Sequence, residues 1–226
     1  MSLNKITAIV VLTTAASSAT AGSFDGPYAQ VGAGFAYLGS NVNTTGLYQG
    51  FETYKGGETG ALGNIALGYS YELPQSFNIA TNIFYSFGSQ NSGQYSYAPG
   101  TSYTYQSKLK NIWGVSVEPG YNFGDKSLGF LKLGWASATT SVSSSGAQAG
   151  LSGYLPPGTY SGTSNGFLYG LGFKQLLTEN IFVGVEAYQV TFSTVTQSSS
   201  SVNWGNGTVS QKPNLTYGGI NLGYKF

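Results

Sequence analysis

Pro213-Asn214-Leu215-Thr216-Tyr217-Gly218-Gly219-Ile220-Asn221-Leu222-Gly223-Tyr224-Lys225-Phe226 is the last stretch of the sequence. With a period of two, Gly218, Ile220, Leu222, Tyr224 and Phe226 share one face. Tyr217, Gly219, Asn221, Gly223 and Lys225 share the other. Successive side chains leave a strand on opposite sides, so this alternation predicts a strand with one face in an apolar medium.

The same alternation recurs upstream. Tyr28 to Leu38 carries Ala29, Val31, Ala33, Phe35 and Tyr37 on one face, and Ala61 to Leu73 carries Ile65, Leu67, Tyr69 and Tyr71. Phe77 to Gly88 follows with Ile79, Ile83, Tyr85 and Phe87, then Leu109 to Phe123 with Trp113, Val115, Val117, Tyr121 and Phe123. Leu131, Leu133 and Trp135 mark a fifth strand, and Phe167, Tyr169, Leu171 and Phe173 a sixth over Gly166 to Gln175. Val183, Val185 and Ala187 mark a seventh over Ile181 to Phe192, and Pro213 to Phe226 is the eighth. Tight turns near residues 75, 126 and 179 alternate with four long polar connections, Gly39–Gly60, Ser89–Lys108, Val142–Asn165 and Ser193–Lys212. Ser143–Ser145 and Ser198–Ser201 read as tips of those connections. Short and long connections in strict alternation fit the periplasmic turns and extracellular loops of a membrane barrel. The expected fold is all-β, an eight-stranded antiparallel up-and-down transmembrane β-barrel.

Composition agrees. Charged residues make up only 8 % of the chain, whereas a soluble surface has roughly 25–35 % of its positions charged. Met1 to Ala21 predicts a secretory signal peptide: Lys5 gives the positive start, Ile6 to Leu12 a short apolar core, and Ala19-Thr20-Ala21 a cleavage site. That leaves residues 22–226 as one barrel domain. Without cysteine there is no disulfide scaffold or thiolate metal site, and without a basic patch nothing supports nucleic-acid binding.

Charge placement tests the inside and outside of this cylinder. Glu72, Lys110, Glu118, Lys132, Lys174, Glu186 and Lys225 fall on the predicted strands, each on the less apolar parity. A lysine facing lipid at mid-depth costs ~2–4 kcal/mol, so these charges are expected in the bore. A soluble ligand-carrying barrel would show the reverse, a charged exterior around an apolar interior. Folding about Asp125 sets Glu118 across from Lys132, and folding about Asn180 sets Lys174 across from Glu186. Two readings of these four stand, as ion pairs or as ions in lumenal water. Glycines on the inner parity (Gly32, Gly34, Gly68, Gly114, Gly170, Gly172, Gly219 and Gly223) make room for larger groups. Pro119 predicts a bulge or the end of pairing, since a strand proline loses a ladder hydrogen bond. Outward rings near the strand ends, among them Tyr69, Tyr71, Phe77, Tyr85, Phe87, Trp113, Tyr121 and Trp135, read as two interfacial girdles.

The closing strand, with Tyr224 and the final Phe226, resembles the last strand of bacterial outer-membrane barrels. Those chains commonly finish on a phenylalanine recognised by the assembly machinery. Glu118-Pro119-Gly120-Tyr121-Asn122-Phe123 followed by Leu131-Lys132-Leu133-Gly134-Trp135 is similar to the opacity-type or OmpX-like families. Leu176-Leu177-Thr178-Glu179-Asn180-Ile181 followed by Val185-Glu186-Ala187-Tyr188 carries the same resemblance. It implies a monomer in the bacterial outer membrane, in contact with membrane lipid and assembled through Tyr224 and Phe226.

No enzyme is expected. The chain has no histidine, which the lipid A palmitoyl transferase, lipid A deacylase, outer-membrane phospholipase and omptin families all use. No cofactor, metal or catalytic set stands out. The connections hold Tyr48, Tyr54, Tyr95, Tyr97, Tyr154, Tyr160 and Trp204, ring types suited to contact with a host or cell-surface partner. Packing of these rings on one another is the other reading. The expected role is structural or adhesive, and the alternative is a small channel or an OmpW-like conduit for small apolar molecules.

Overall fold

In the computed structural model, residues 24–45, 52–96, 104–145, 158–201 and 205–226 are described. Alternate apolar and polar residues hold their parity along each run, and each run is a strand. The strands are β1 (Gly26–Thr45), β2 (Glu52–Glu72), β3 (Phe77–Ser96), β4 (Thr104–Asn122) and β5 (Ser127–Ser145). β6 (Gly158–Leu176), β7 (Ile181–Phe192), β8 (Val195–Ser201) and β9 (Gly205–Lys225) complete them. Every pairing is antiparallel, the order follows the chain from β1 to β7, β9 lies beside β7, and β1 with β9 closes the cylinder. β7 and β8 are successive parts of one stave, interrupted at Ser193–Thr194, and both pair with β9. The nine segments therefore make an eight-stranded barrel.

The strands run further than hydrophobic alternation reaches. β1 continues to Thr45 and β2 begins at Glu52, so most of the connection expected over Gly39–Gly60 is a paired hairpin arm. The other three long connections are likewise shortened, and Ser143–Ser145 and Ser198–Ser201 lie on β5 and β8 rather than at tips. Above the membrane the outer face of the wall meets water rather than lipid, and the inner face is lined mostly by polar side chains such as Ser40, Gln90, Ser107 and Gln211. Nothing there selects apolar residues at every second position, and the period-two signal fades while backbone pairing persists. The turns at the other end stay short. Gln75 and Ser76 sit at φ 65° and 64° in a one-turn 3-10 segment, and Gly124 takes φ 76° in the β4–β5 turn.

Pro119 makes no bulge, and the expected loss of pairing shows only on the β5 side, where neither Glu118 nor Pro119 is paired. It pairs with Ile79 on one side, and on the other the β5 ladder passes from Val117–Leu133 to Gly120–Phe130 with its register intact. Irregularity falls higher, where Asn111 at φ 53° adds a residue to β4 and shifts its register on β5 between Lys110 and Trp113. Below this point the even residues of β4 face inward, and above it the odd residues Ser107 and Leu109 do.

Outside and inside are cleanly separated. Leu131 is 56 % exposed, Leu133 42 % and Trp135 36 %, while Lys132 between them is 2 % exposed. Rings stand outward at both ends of the apolar band. Phe77, Tyr121 and Phe123 meet edge to face near the turns, as do Trp113 and Trp135 near the arms.

Candidate functional site

The bore is stacked in layers from the turns upward. Phe24, Tyr28, Ala80, Leu128, Leu176 and Phe182 form a lower apolar layer. A larger one lies higher, with Leu38, Leu62, Leu109, Leu168, Phe192 and Leu215 fully buried. Above that, Ser40, Gln90, Ser107, Thr140 and Gln211 are buried polar groups, and Gln211 Nε2 donates across the bore to Ser107 Oγ.

Between the apolar layers lie Glu118, Lys132, Lys174 and Glu186, each at most 6 % exposed. They form one linear chain. Lys174 Nζ lies 2.8 Å from Glu118 Oε2, Glu118 Oε1 lies 3.3 Å from Lys132 Nζ, and Lys132 Nζ lies 2.7 Å from Glu186 Oε2. Two positive and two negative groups cancel, so a low-dielectric bore holds them without net charge. Asn82 adds a donor to Glu118 at 2.6 Å and accepts from Ser116 at 3.0 Å. The lysines also lie over ring faces: Lys174 is 4.6 Å from the Phe130 centroid and 4.7 Å from that of Tyr28. Lys132 is 5.5 Å from that of Tyr188.

Glu118 and Lys132 contact each other as folding about Asp125 predicts, whereas Lys174 and Glu186 do not face each other. The β6–β7 ladder pairs Lys174 with Gly184, and Glu186 with Gly172. Thr178 Oγ1 accepts from the backbone N–H groups of Asn180 and Ile181, and the turn centres one residue earlier than expected. A shift of two residues in pairing keeps every side chain on its face but changes its neighbour. Lys132 instead crosses β6 to reach Glu186. It can do so because β6 presents Gly170 and Gly172 inward, where a Cβ would strike the Tyr188 and Phe130 side chains.

The remaining charges divide. Lys225 is buried in the bore at 4 % exposure. Glu72 is exposed at the turn-end rim, where its backbone N–H donates to Asp25 Oδ1. Lys110 is not lumenal: the residue added at Asn111 reverses its parity, and it is exposed on the outer face above Trp113. Tyr224 and Phe226 stand outward with rings 5.2 Å apart, and Phe226 N–H donates to Pro27 O across the closing seam. Tyr48, Tyr97, Tyr154 and Trp204 lie outside the described residues. Tyr54 and Tyr95 are placed by their backbones on β2 and β3, and Tyr160 is half-buried on β6 opposite Val142. Sequence reasoning missed Tyr28, Asn82, Phe130 and Tyr188 as partners of the charges. All four lie on the inner parity of strands already assigned.

The family model for the outer membrane protein beta-barrel domain matches residues 6–226. The chain belongs to that family. Membership places this outer-membrane barrel in the bacterial outer membrane. No curated protein sequence matches it. Among solved structures it is similar to Ail, the attachment invasion locus protein of Yersinia pestis, at 12 % identity over 87 % of this chain and 99 % of that one, with a TM-score of 0.37. It is similar to the outer membrane protein OprG of Pseudomonas aeruginosa at 12 % identity, over 91 % and 98 % of the two chains, with a TM-score of 0.40. The outer membrane protease OmpT of Escherichia coli follows at 13 % identity, 89 % and 97 % coverage and a TM-score of 0.42.

Proposed function

We propose that this barrel is a non-enzymatic surface protein of the outer membrane that acts through its extracellular arms. The observation that carries this reading is the filled bore. The salt-bridged chain from Lys174 to Glu186 lies between two apolar layers, and buried polar side chains lie above the upper one. An eight-stranded barrel is only wide enough for its side chains to fill. Among the described residues the bore is filled by buried side chains at every level, polar ones among them, so ions meet a packed plug rather than an open channel, and an apolar molecule would have to pass the charged layer. Both buried carboxylates are bound to lysines, which leaves neither as a general base in a cleft. What remains outward is a tall β-structured crown, well suited to contact with another surface.

On this reading the chain is exported with cleavage after Ala21, recognised by the assembly machinery through Tyr224 and Phe226, and inserted as a monomer. Two measurements test it. The refolded protein in a planar bilayer stays electrically silent, and steady unitary openings would replace the surface role with transport. Cells displaying the intact chain bind a host-cell layer more than cells whose arms are cut back to Tyr37, Gly63, Phe87, Trp113, Trp135, Gly166, Phe192 and Leu215. Equal binding would remove the contact role.

A further inference from the structure

The outer face carries an ordered charge asymmetry. Above the upper ring of aromatics, the described charged side chains on outward-facing positions are Lys55, Lys108, Lys110 and Lys212. Near the turns, Asp25, Glu72, Asp125 and Glu179 outnumber Lys126. Two of the upper lysines share one row. Asn41 on β1 pairs with Lys55 of β2 on one side and with Lys212 of β9 on the other, and all three are exposed. Adjacent strands lie about 4.8 Å apart, which puts the two lysine backbones about 10 Å from each other with an amide between them. Their long side chains can converge on one anion from both sides. Glu58, three residues from Lys55, leans toward Gly93 of β3.

The rest of that strip is built for lipid. Tyr37, 48 % exposed, reaches up so that its phenol covers Gly57, two residues from Lys55. Lower on β1, β9 and β7, a hollow of about 630 Å³ is lined by Val31, Ala33, Val183, Val185, Ile220 and Leu222. From Asn41 down to Ala33 the strand covers about 26 Å, or about 20 Å in depth at a tilt near 40°. That is the depth of one leaflet, half of a ~30 Å hydrocarbon core plus a headgroup layer.

We propose that Lys55, Asn41 and Lys212 clamp a phosphate of an outer-leaflet phosphorylated glycolipid whose acyl chain lies in the hollow below. The cations supply charge complementarity, the phenol marks the interface, and the apolar groove takes the tail. The clamp is a feature of the wall and stands whether or not the arms bind another cell.

The test is native mass spectrometry of the full refolded protein in detergent, titrated with diphosphoryl lipid A and with the same lipid after phosphate removal. The wild type binds the phosphorylated form about tenfold more tightly, following the modest contribution of each lysine near an anionic headgroup. Lys55→Gln/Lys212→Gln reduces that preference to within about twofold, while Lys108→Gln/Lys110→Gln keeps it. All four lysines lie on the surface, and retention of the heat-modifiable gel shift verifies folding of each variant. An unchanged preference in Lys55→Gln/Lys212→Gln overturns the clamp. So does binding of a soluble sulfated oligosaccharide as tight as that of the lipid, which would make this a site for free anions.

Discussion

Glu118→Gln tests the interior most sharply, because Glu118 is the one carboxylate that touches both lysines of the chain. The substitution keeps shape and retains a partner for Asn82, but removes one negative charge from a group of four that sums to zero. At an effective dielectric near 20, a unit pair at the observed 2.8 Å is worth about 6 kcal/mol and one at 3.3 Å about 5 kcal/mol before desolvation. Since desolvation offsets much of this, removing one partner of a buried pair typically costs about 3–5 kcal/mol. Lys174 has no other carboxylate within salt-bridge reach among the described residues. Its contacts with the Phe130 and Tyr28 rings return about 1–2 kcal/mol. The net expectation is a loss of about 3 kcal/mol. Urea unfolding from lipid vesicles, followed by tryptophan fluorescence, measures it, since Trp113 and Trp135 face lipid at 43 % and 36 % exposure. Glu118→Gln/Lys174→Met restores charge balance and recovers at least half of the loss. A change below about 1 kcal/mol for the single variant, or a double variant no better than the single one, would refute the claim that the four charges act as one neutral unit.

Further outcomes follow from the same geometry. Leu131→Lys puts a charge on the lipid face near mid-depth and lowers folding stability in vesicles by about 2–4 kcal/mol, measured by the same urea titration. Gly172→Val drives a branched side chain into the Phe130 ring beneath the path of Lys132, and costs about 1–3 kcal/mol or more. Glu72→Gln, at the exposed rim, leaves the urea midpoint unchanged.

Parity was legible in the sequence because the lipid enforces it: at mid-depth an outward charge is penalised at every second position, so Glu118, Lys132, Lys174 and Glu186 could be placed inside from spacing alone. Lateral partners were legible only where the turn centre was. Asp125 gave the Glu118–Lys132 contact, while the Thr178 side-chain bonds moved the next turn and replaced the expected Lys174–Glu186 pair. The inner glycines of β6 were the available clue to the longer reach of Lys132, and they carry no label saying which neighbour will cross them. Lys110 was misplaced because one positive-φ asparagine reverses parity without any change in composition. The paired arms escaped notice for a different reason, since polar Ser, Thr, Asn, Gln and Gly on both faces leave no periodic trace.

Which positions meet the bilayer can be measured directly. The chain has no cysteine, so single substitutions report without background. Cysteines at Leu67, Leu131, Leu133 and Val185, and at the inward Ala36, Ala66, Ala80 and Ala136, would be exposed in vesicles to a maleimide that partitions into lipid. Reaction at the first four with protection of the second four is the predicted result. Equal modification at the alanine positions, or protection at the leucines and Val185, would contradict a barrel with lipid outside and a filled bore within.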